Sequence, residues 1–560
     1  MKKQLIILSL FATVFTTYAQ EEQEEIKKED VVVEFSFNPT LSDVFKLKTS
    51  PNETESFPKK QLTYQINSKG VPSDFVPIAK KVVYVNIDDP KPTNYYNYIY
   101  GAAGFYGNGE FELLLQPQKT KKDYEYGISL TSYNSQNGID NKRVDNGQWK
   151  VDLGLFLTKK GKKLDWRADV DYQNNLVHWY GLDANIPSTT YQDQNVKQSY
   201  KNLKFSGVLD YKDTFVKTLT PSLQFFSDDF SSSEVNLKLG TELSPSLFAD
   251  IIKAKIDFQY LNGSFNQSYG SEDNINYSFL NIGVTPSYTY KTDVFRLTTE
   301  LGLFINNNKE VSKTDFLFLP KVQADVILVQ DIMNLHGGIR SQMTQNSYAS
   351  LASENPFVSP TLNIETSHTP VDLFVGLDGA LSKNIRYGVE GSYKAMKNQA
   401  LFVHNNQPFT VNQVFTMGNS FGVVYDDVNV LSAKANVEVD FSKYVKAGGN
   451  VIFNSYDPKE QTKAWNLSEI EMETYLNYHQ DKFFSQLGIN IVDGRYSVSP
   501  ANQPKKLDGF LDMNLKMGYE INQKLNAHVN LYNMLSNKYE LYRNYGVQGV
   551  QAVVGFSYKF

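Results

Sequence analysis

Residues 164–172, LDWRADVDY, alternate between apolar and charged side chains without interruption: Leu164, Trp166, Ala168, Val170 and Tyr172 against Asp165, Arg167, Asp169 and Asp171. Successive side chains of a β-strand point to opposite faces, so this stretch is a strand with one apolar and one wet face. Its four charges cannot line a dry core, because each unpaired buried ion costs several kcal/mol. The apolar face is therefore the hidden one. What hides it is either protein or lipid.

The pattern recurs from residue 97 to the end. Trp149, Val151, Leu153, Leu155 and Leu157 alternate with Lys150, Asp152, Gly154 and Phe156; Leu431, Ala433, Ala435, Val437 and Val439 alternate with Ser432, Lys434, Asn436 and Glu438. Each run is about nine to eleven residues, longer than a globular strand and long enough for a tilted strand to cross a bilayer. Short polar turns at KKGKK (159–163), KTD (291–293), LSKN (381–384), HQDK (479–482) and INQK (521–524) alternate with longer stretches at 178–199, 343–369, 402–428, 493–507 and 536–547. Short turns at one end and long loops at the other are the wiring of outer-membrane barrels. The reading is all-β: a transmembrane antiparallel β-barrel of about 22 strands, with short periplasmic turns and long extracellular loops. A soluble propeller or β-helix would repeat at a fixed period, and none is visible.

Composition supports this. The 560 residues hold no cysteine, which removes disulfides, thiol catalysis and cysteine zinc sites. A net charge of −6 gives no basic surface for nucleic acid. Lys2 and Lys3, an apolar run from Leu5 to Phe15 and Thr17-Tyr18-Ala19 read as an export signal over 1–19. Residues 20–96 form a periplasmic N-terminal segment and 97–560 the barrel. The chain ends VQAVVGFSYKF, placing Phe556, Tyr558 and Phe560 on one face as a C-terminal assembly signal for the barrel insertion machinery.

YEINQKLNAHVNLYNMLSNKY (519–539), with Asn533, Met534 and Tyr539 ahead of the last hairpin, resembles the end of TonB-dependent receptors. NPFVSPTLNIETSHTPVDLFVGLDG (355–379) is similar to a second motif of that family through Asn355, Pro356, Leu362, Glu365, Gly376 and Leu377. The resemblance spans the barrel region and implies transport of a bulky ligand, met outside by loops 178–199, 343–369 and 402–428. It also implies a TonB-like energy transducer that pairs with an acidic-then-aliphatic segment, for which Asp30, Val31, Val32, Val33 and Glu34 are the candidate.

The likeness stops at residues 20–96, too few for the family's full plug. They leave room for a reduced one. A barrel this wide cannot fill its lumen with wall side chains. Closure falls to residues 20–96, to the long loops folding inward, or to another protein. The alternative function is a non-transporting barrel subunit of a larger outer-membrane assembly. The lumen face, with Asp165, Arg167, Asp169, Lys434, Glu438 and Lys516, mixes both signs, which favours cross-strand pairing over an ion-selective ring.

No catalytic or cofactor chemistry is expected. The six histidines, His178, His336, His368, His404, His479 and His528, form no ligand spacing and fall on loops or lumen. Gly418-Asn419-Ser420-Phe421-Gly422 matches G-x-S-x-G, a motif that works on a strand-to-helix elbow, yet Val423-Val424-Tyr425 reads as extended. Asp228-Asp229 and Asp426-Asp427 lack the ligand ladder of a calcium loop and read as solvated turns.

Overall fold

The computed structural model describes residues 96–560 apart from 117–123, 140–142, 184–185, 188–190, 192–193, 245–250, 406–412 and 499–502. The principal sheet has 23 strand segments, two of which, Met333–Arg340 and Gln342–Gln345, are halves of one wall strand interrupted at Ser341, leaving 22. All neighbours are antiparallel. The sheet closes on itself where Tyr98–Gly104 pairs with Gln551–Lys559, Tyr98 opposite Lys559 and Gly101 opposite Phe556. Closure leaves no unpaired edge, which lipid would not tolerate. The break at Ser341 sits between two prolines: its N–H donates to Pro320 O at 3.1 Å and its Oγ to Pro370 O at 2.5 Å. Proline has no N–H for the ladder, and Ser341 supplies local bonds in place of the regular pairing.

The expected short turns are where the chain reverses. They join Gln148–Lys159 to Leu164–His178, Ile275–Lys291 to Phe295–Asn308, Thr366–Ser382 to Ile385–His404, Ile470–Gln480 to Phe483–Asp493, and Phe510–Glu520 to Leu525–Tyr532. At the opposite end several strands reach further than expected: Lys197–Tyr211 starts inside the stretch 178–199 and Thr366–Ser382 inside 343–369. Strand Phe421–Asp440 starts inside the stretch 402–428, because Phe421 to Tyr425 continue the ladder with Ala400 to His404 past an irregularity at Met396/Gln399. Two loops also carry their own small hairpins, Tyr496–Val498 with Pro504–Lys506 and Glu540–Tyr542 with Tyr545–Gly546.

The alternating apolar residues face outward. Leu155, Leu157, Tyr172, Phe205, Leu431 and Phe453 are all exposed. The inward face is polar and cross-linked between strands. Gln173 donates to Asp152 at 2.7 Å, Ser199 to Asn174 at 2.8 Å, Gln224 to Asn202 at 2.9 Å and Gln259 to Asn236 at 3.0 Å. Ion pairs follow the same logic. Lys212 meets Asp165 at 2.9 Å, Arg340 meets Glu390 at 2.9 Å and Asp372 at 3.2 Å, and Glu438 is held by Arg386 and Lys446.

The wall is uneven in height. Ile385–His404 and Phe421–Asp440 have 20 residues each, whereas Tyr98–Gly104 and Gly109–Leu115 have 7, Leu525–Tyr532 has 8 and Gln551–Lys559 has 9. The short strands cluster around the closing seam.

Candidate functional site: a loop cap over the barrel mouth

The long loops pack together across the mouth instead of standing apart. Their core holds Trp179, Tyr348, Phe415, Phe421 and Tyr545, all with no exposed surface, and takes in Val177, Phe265, Phe357, Leu541 and Tyr542 around them. The rings interlock: Phe357 stacks on Tyr545 at 3.6 Å, Trp179 on Phe230 at 5.3 Å, and Tyr180 meets Tyr545 at 4.8 Å. Each fully buried ring of this kind is worth about 1.5–3 kcal/mol relative to exposure. No alternation marks these stretches, because loop side chains pack in all directions.

Hydrogen bonds join loops that are far apart in the ring. Trp179 Nε1 and Tyr200 Oη both donate to Pro356 O, at 3.4 and 2.9 Å. Trp179 follows the fifth wall strand and Pro356 precedes the fourteenth, so these bonds cross the mouth. Asn419 Nδ2 donates to Trp179 O at 3.1 Å, Tyr545 Oη to Asn419 O at 2.5 Å, and Tyr542 Oη to Glu354 O at 3.1 Å. Of the three means of closure open to such a barrel, inward folding of the outer loops is present.

A short helix, Tyr348–Glu354, is the piece most firmly tied to the rim. Ser347 and Ser350 form a capping box at its start. The Glu234 carboxylate accepts from Tyr348 N at 2.6 Å, Ala349 N at 3.3 Å and Tyr277 Oη at 2.7 Å. Asp228 accepts from Tyr348 Oη at 2.7 Å, Gln198 Nε2 at 3.1 Å, Phe230 N at 3.0 Å and Ser232 N at 2.8 Å. Burial nevertheless outweighs these donors and raises the Asp228 pKa above the usual carboxylate range. Burial also pushes the Glu354 carboxyl up to about 7.

This corrects the reading of the aspartate pairs as solvated turns. Asp228 and Asp426 are buried, and Asp426 accepts from the backbone N–H groups of Glu460 and Gln461 at 3.0 and 2.8 Å. Carboxylates that collect several backbone donors organise loops from within. An aspartate pair in sequence does not distinguish that role from a wet turn.

Asn533 acts in the same way. With φ at 45° it sits in the left-handed region, and its amide donates to Asn537 O at 3.0 Å and Gln548 O at 2.8 Å while its Oδ1 accepts from Asn537 N at 3.0 Å. Pro356 O is the shared acceptor already described. The two family-like motifs are therefore loop organisers.

Ser420 lies fully buried, donates to Phe415 O at 2.6 Å and accepts from Asn405 Nδ2 at 2.8 Å. A strand follows it, so the nucleophile-elbow geometry is absent at this site. His336 lies on the lumen face, 2.9 Å from Asp378, and His528 faces Ser557 at 2.7 Å. Among the described residues no group of three or more histidines and carboxylates is placed to hold a metal. Phe556, Tyr558 and Phe560 are exposed on the outer face, the last two rings stacked at 5.8 Å. Asp30 to Glu34 lie outside the described residues.

The barrel superposes on the FrpB iron transporter from Neisseria meningitidis (F3-3 variant) with a TM-score of 0.65 at 10% identity, covering 84% of this chain and 82% of that one. It matches the copper transporter OprC at 0.57 and 13% identity, covering 84% and 82%. With the ferric-catecholate import receptor Fiu from K12 E. coli the values are 0.59 and 10%, covering 84% and 83%. No family model matches the chain, and no curated protein matches its sequence. The class the structure defines is a closed outer-membrane β-barrel. Within that class, the fold is the 22-stranded barrel of TonB-dependent receptors.

Proposed function

We propose that the protein is a receptor-type transporter in the outer membrane of a diderm bacterium, taking up a ligand too bulky for diffusion pores. The observation that carries this reading is a lumen of receptor width, lined with paired charges, under a mouth shut by the chain's own loops. Such a barrel is built to be opened. The iron, copper and ferric catecholate named for the neighbours make metal chelates the first ligands to try. The outer surface of the cap, built from loops 178–199, 343–369 and 402–428, meets the ligand. Residues 20–96 serve as a reduced plug, Asp30 to Glu34 pair with a TonB-like transducer, and Phe556, Tyr558 and Phe560 address the chain to the insertion machinery.

The test is uptake of a radiolabelled ferric siderophore panel by cells carrying the intact chain or one with Asp30–Glu34 replaced by glycine and serine. Loss of energised uptake in the variant is expected. Equal uptake by both would remove the coupling role, and no uptake of any chelate by the intact chain would remove the metal-chelate reading.

One observation favours a second reading, a non-transporting subunit. The loops leave little space where they meet the wall beside the closing seam: the pocket among Ser135, His178, Tyr180, Pro356, Phe357 and Gln548 has room only for a water-sized molecule. Under that reading other outer-membrane proteins copurify with the barrel from native membranes and uptake is unaffected by its deletion.

A further inference from the structure

Arginines of the barrel wall and of the cap are treated differently. Arg167, Arg340 and Arg386 each face a carboxylate across the lumen side. Arg495 and Arg543, in the last two loops, do not, although they are only 5% and 7% exposed. Arg495 donates from Nη1 to Leu541 O at 2.5 Å and from Nη2 to Glu540 O at 2.9 Å. Arg543 donates from Nη1 to Val498 O at 2.5 Å. Each arginine thus grips the backbone of the other's hairpin, Tyr496–Val498 with Pro504–Lys506 facing Glu540–Tyr542 with Tyr545–Gly546.

What remains is an excess of donors. Arg495 Nε, Ser497 Oγ, Arg543 Nε and Asn544 Nδ2 are all buried with no hydrogen-bond partner among the described residues. For Arg543 the free Nε adjoins an Nη2 that donates to no described group, so the side-on edge of the guanidinium, the edge that forks onto an oxyanion, is unused. Asp183, Glu540, Asp493 and Glu471 are the carboxylates whose fields reach the two arginines, and none is in ion-pair contact with them among the described residues. Burial lowers both guanidinium pKa values; the carboxylate fields, and for Arg495 the Phe510 ring 5.1 Å from its Cζ, offset this only in part. A buried unpaired ion costs several kcal/mol, a cost that an anion seated there would offset.

We propose that Arg495, Ser497, Arg543 and Asn544 form an anion site between the last two cap loops, with Arg543 forking onto a carboxylate or phosphate oxygen pair. This does not depend on the transport reading, since it is measured on the isolated protein.

The experiment titrates inorganic phosphate into the full chain, purified in a detergent free of phosphate, with chloride holding ionic strength constant. Binding is read by calorimetry. Saturable binding is expected for the parent, with Arg543→Lys, which keeps the charge and loses the fork, weaker by about tenfold and Arg543→Gln showing none. No binding beyond that of chloride, or equal affinity in parent and Arg543→Lys, overturns the site. If Arg543→Gln fails to fold, the lysine variant and anomalous density for selenate at Arg543 Nε in soaked crystals decide; an empty position there overturns the proposal. Repeating the titration in phospholipid nanodiscs separates two sources of the anion. Undiminished phosphate binding assigns the site to a soluble ligand, and loss of it in the parent, with lipid phosphorus retained by the parent and shed by Arg543→Lys, assigns it to a headgroup.

Discussion

At the scale of single residues, alternation was the most legible property of the chain. Val437 lies on the outward-facing side of its strand and Asn436, one position away, is exposed on the lumen side, where its Oδ1 occupies the space that a Cβ on the paired Gly388 would need. Val437→Arg is expected to destabilise the barrel by about 2–4 kcal/mol and Asn436→Arg far less, measured by denaturant unfolding in liposomes. Equal damage would contradict the assignment of faces. The roles of Glu234, Asp228 and Arg543 were not legible, because a carboxylate or guanidinium in sequence carries no mark of the backbone groups it will meet. Glu234→Ala strips Tyr348 N, Ala349 N and Tyr277 Oη of their shared acceptor. Each orphaned donor costs about 1–3 kcal/mol, so the cap should loosen while the barrel persists. Acrylamide quenching of Trp179, in a chain with Trp149→Phe, Trp166→Phe and Trp465→Phe, reports it; unchanged quenching would show that Glu234 does not hold the helix.

At the scale of elements, turns and strands were predictable because both depend on neighbours in sequence. INQK is the observed connection between Phe510–Glu520 and Leu525–Tyr532, and HQDK supplies the last two residues of Ile470–Gln480 and the two-residue turn before Phe483–Asp493. The cap was not predictable, since its bonds join Trp179 to Pro356 and Tyr545 to Asn419 over long separations. A usable clue was present: HWYGL at 178–182 and KYELYRNYG at 538–546 carry more large rings than a solvated loop needs. The helix Tyr348–Glu354 gives this element a pH dependence. The Glu354 carboxyl is raised to about 7 from its ordinary 4.5, so its stabilising contribution is complete below the unfolded value and is lost as pH climbs through 7. Asp228, also raised, acts in the same direction. The cap should therefore be tighter at about pH 5 than at about pH 8, and Glu354→Gln should flatten that difference in Trp179 quenching. A profile identical in both chains would remove Glu354 as its origin.

At the scale of the whole molecule, a strand count of about 22 emerged from the sequence because each strand adds one independent signal, and errors in one do not propagate. How the mouth is shut is a collective property and needed coordinates. If the cap is the seal, Phe357→Ala with Tyr545→Ala should break the 3.6 Å stack at its centre, costing about 3–5 kcal/mol per ring. In planar bilayers the parent is expected to be quiet and the double variant to conduct in steps. Silence of the double variant, with and without residues 20–95, would place the seal elsewhere.

The unequal strands have a mechanical outcome for the surrounding lipid. Seven residues rise about 23 Å along a strand and, at a tilt near 45°, about 16 Å along the normal, short of the roughly 25 Å apolar band of an outer membrane. Acyl chains beside the meeting point of the two chain ends must compress or the cylinder must lean, and either response makes that flank the place where the protein deforms its host most strongly.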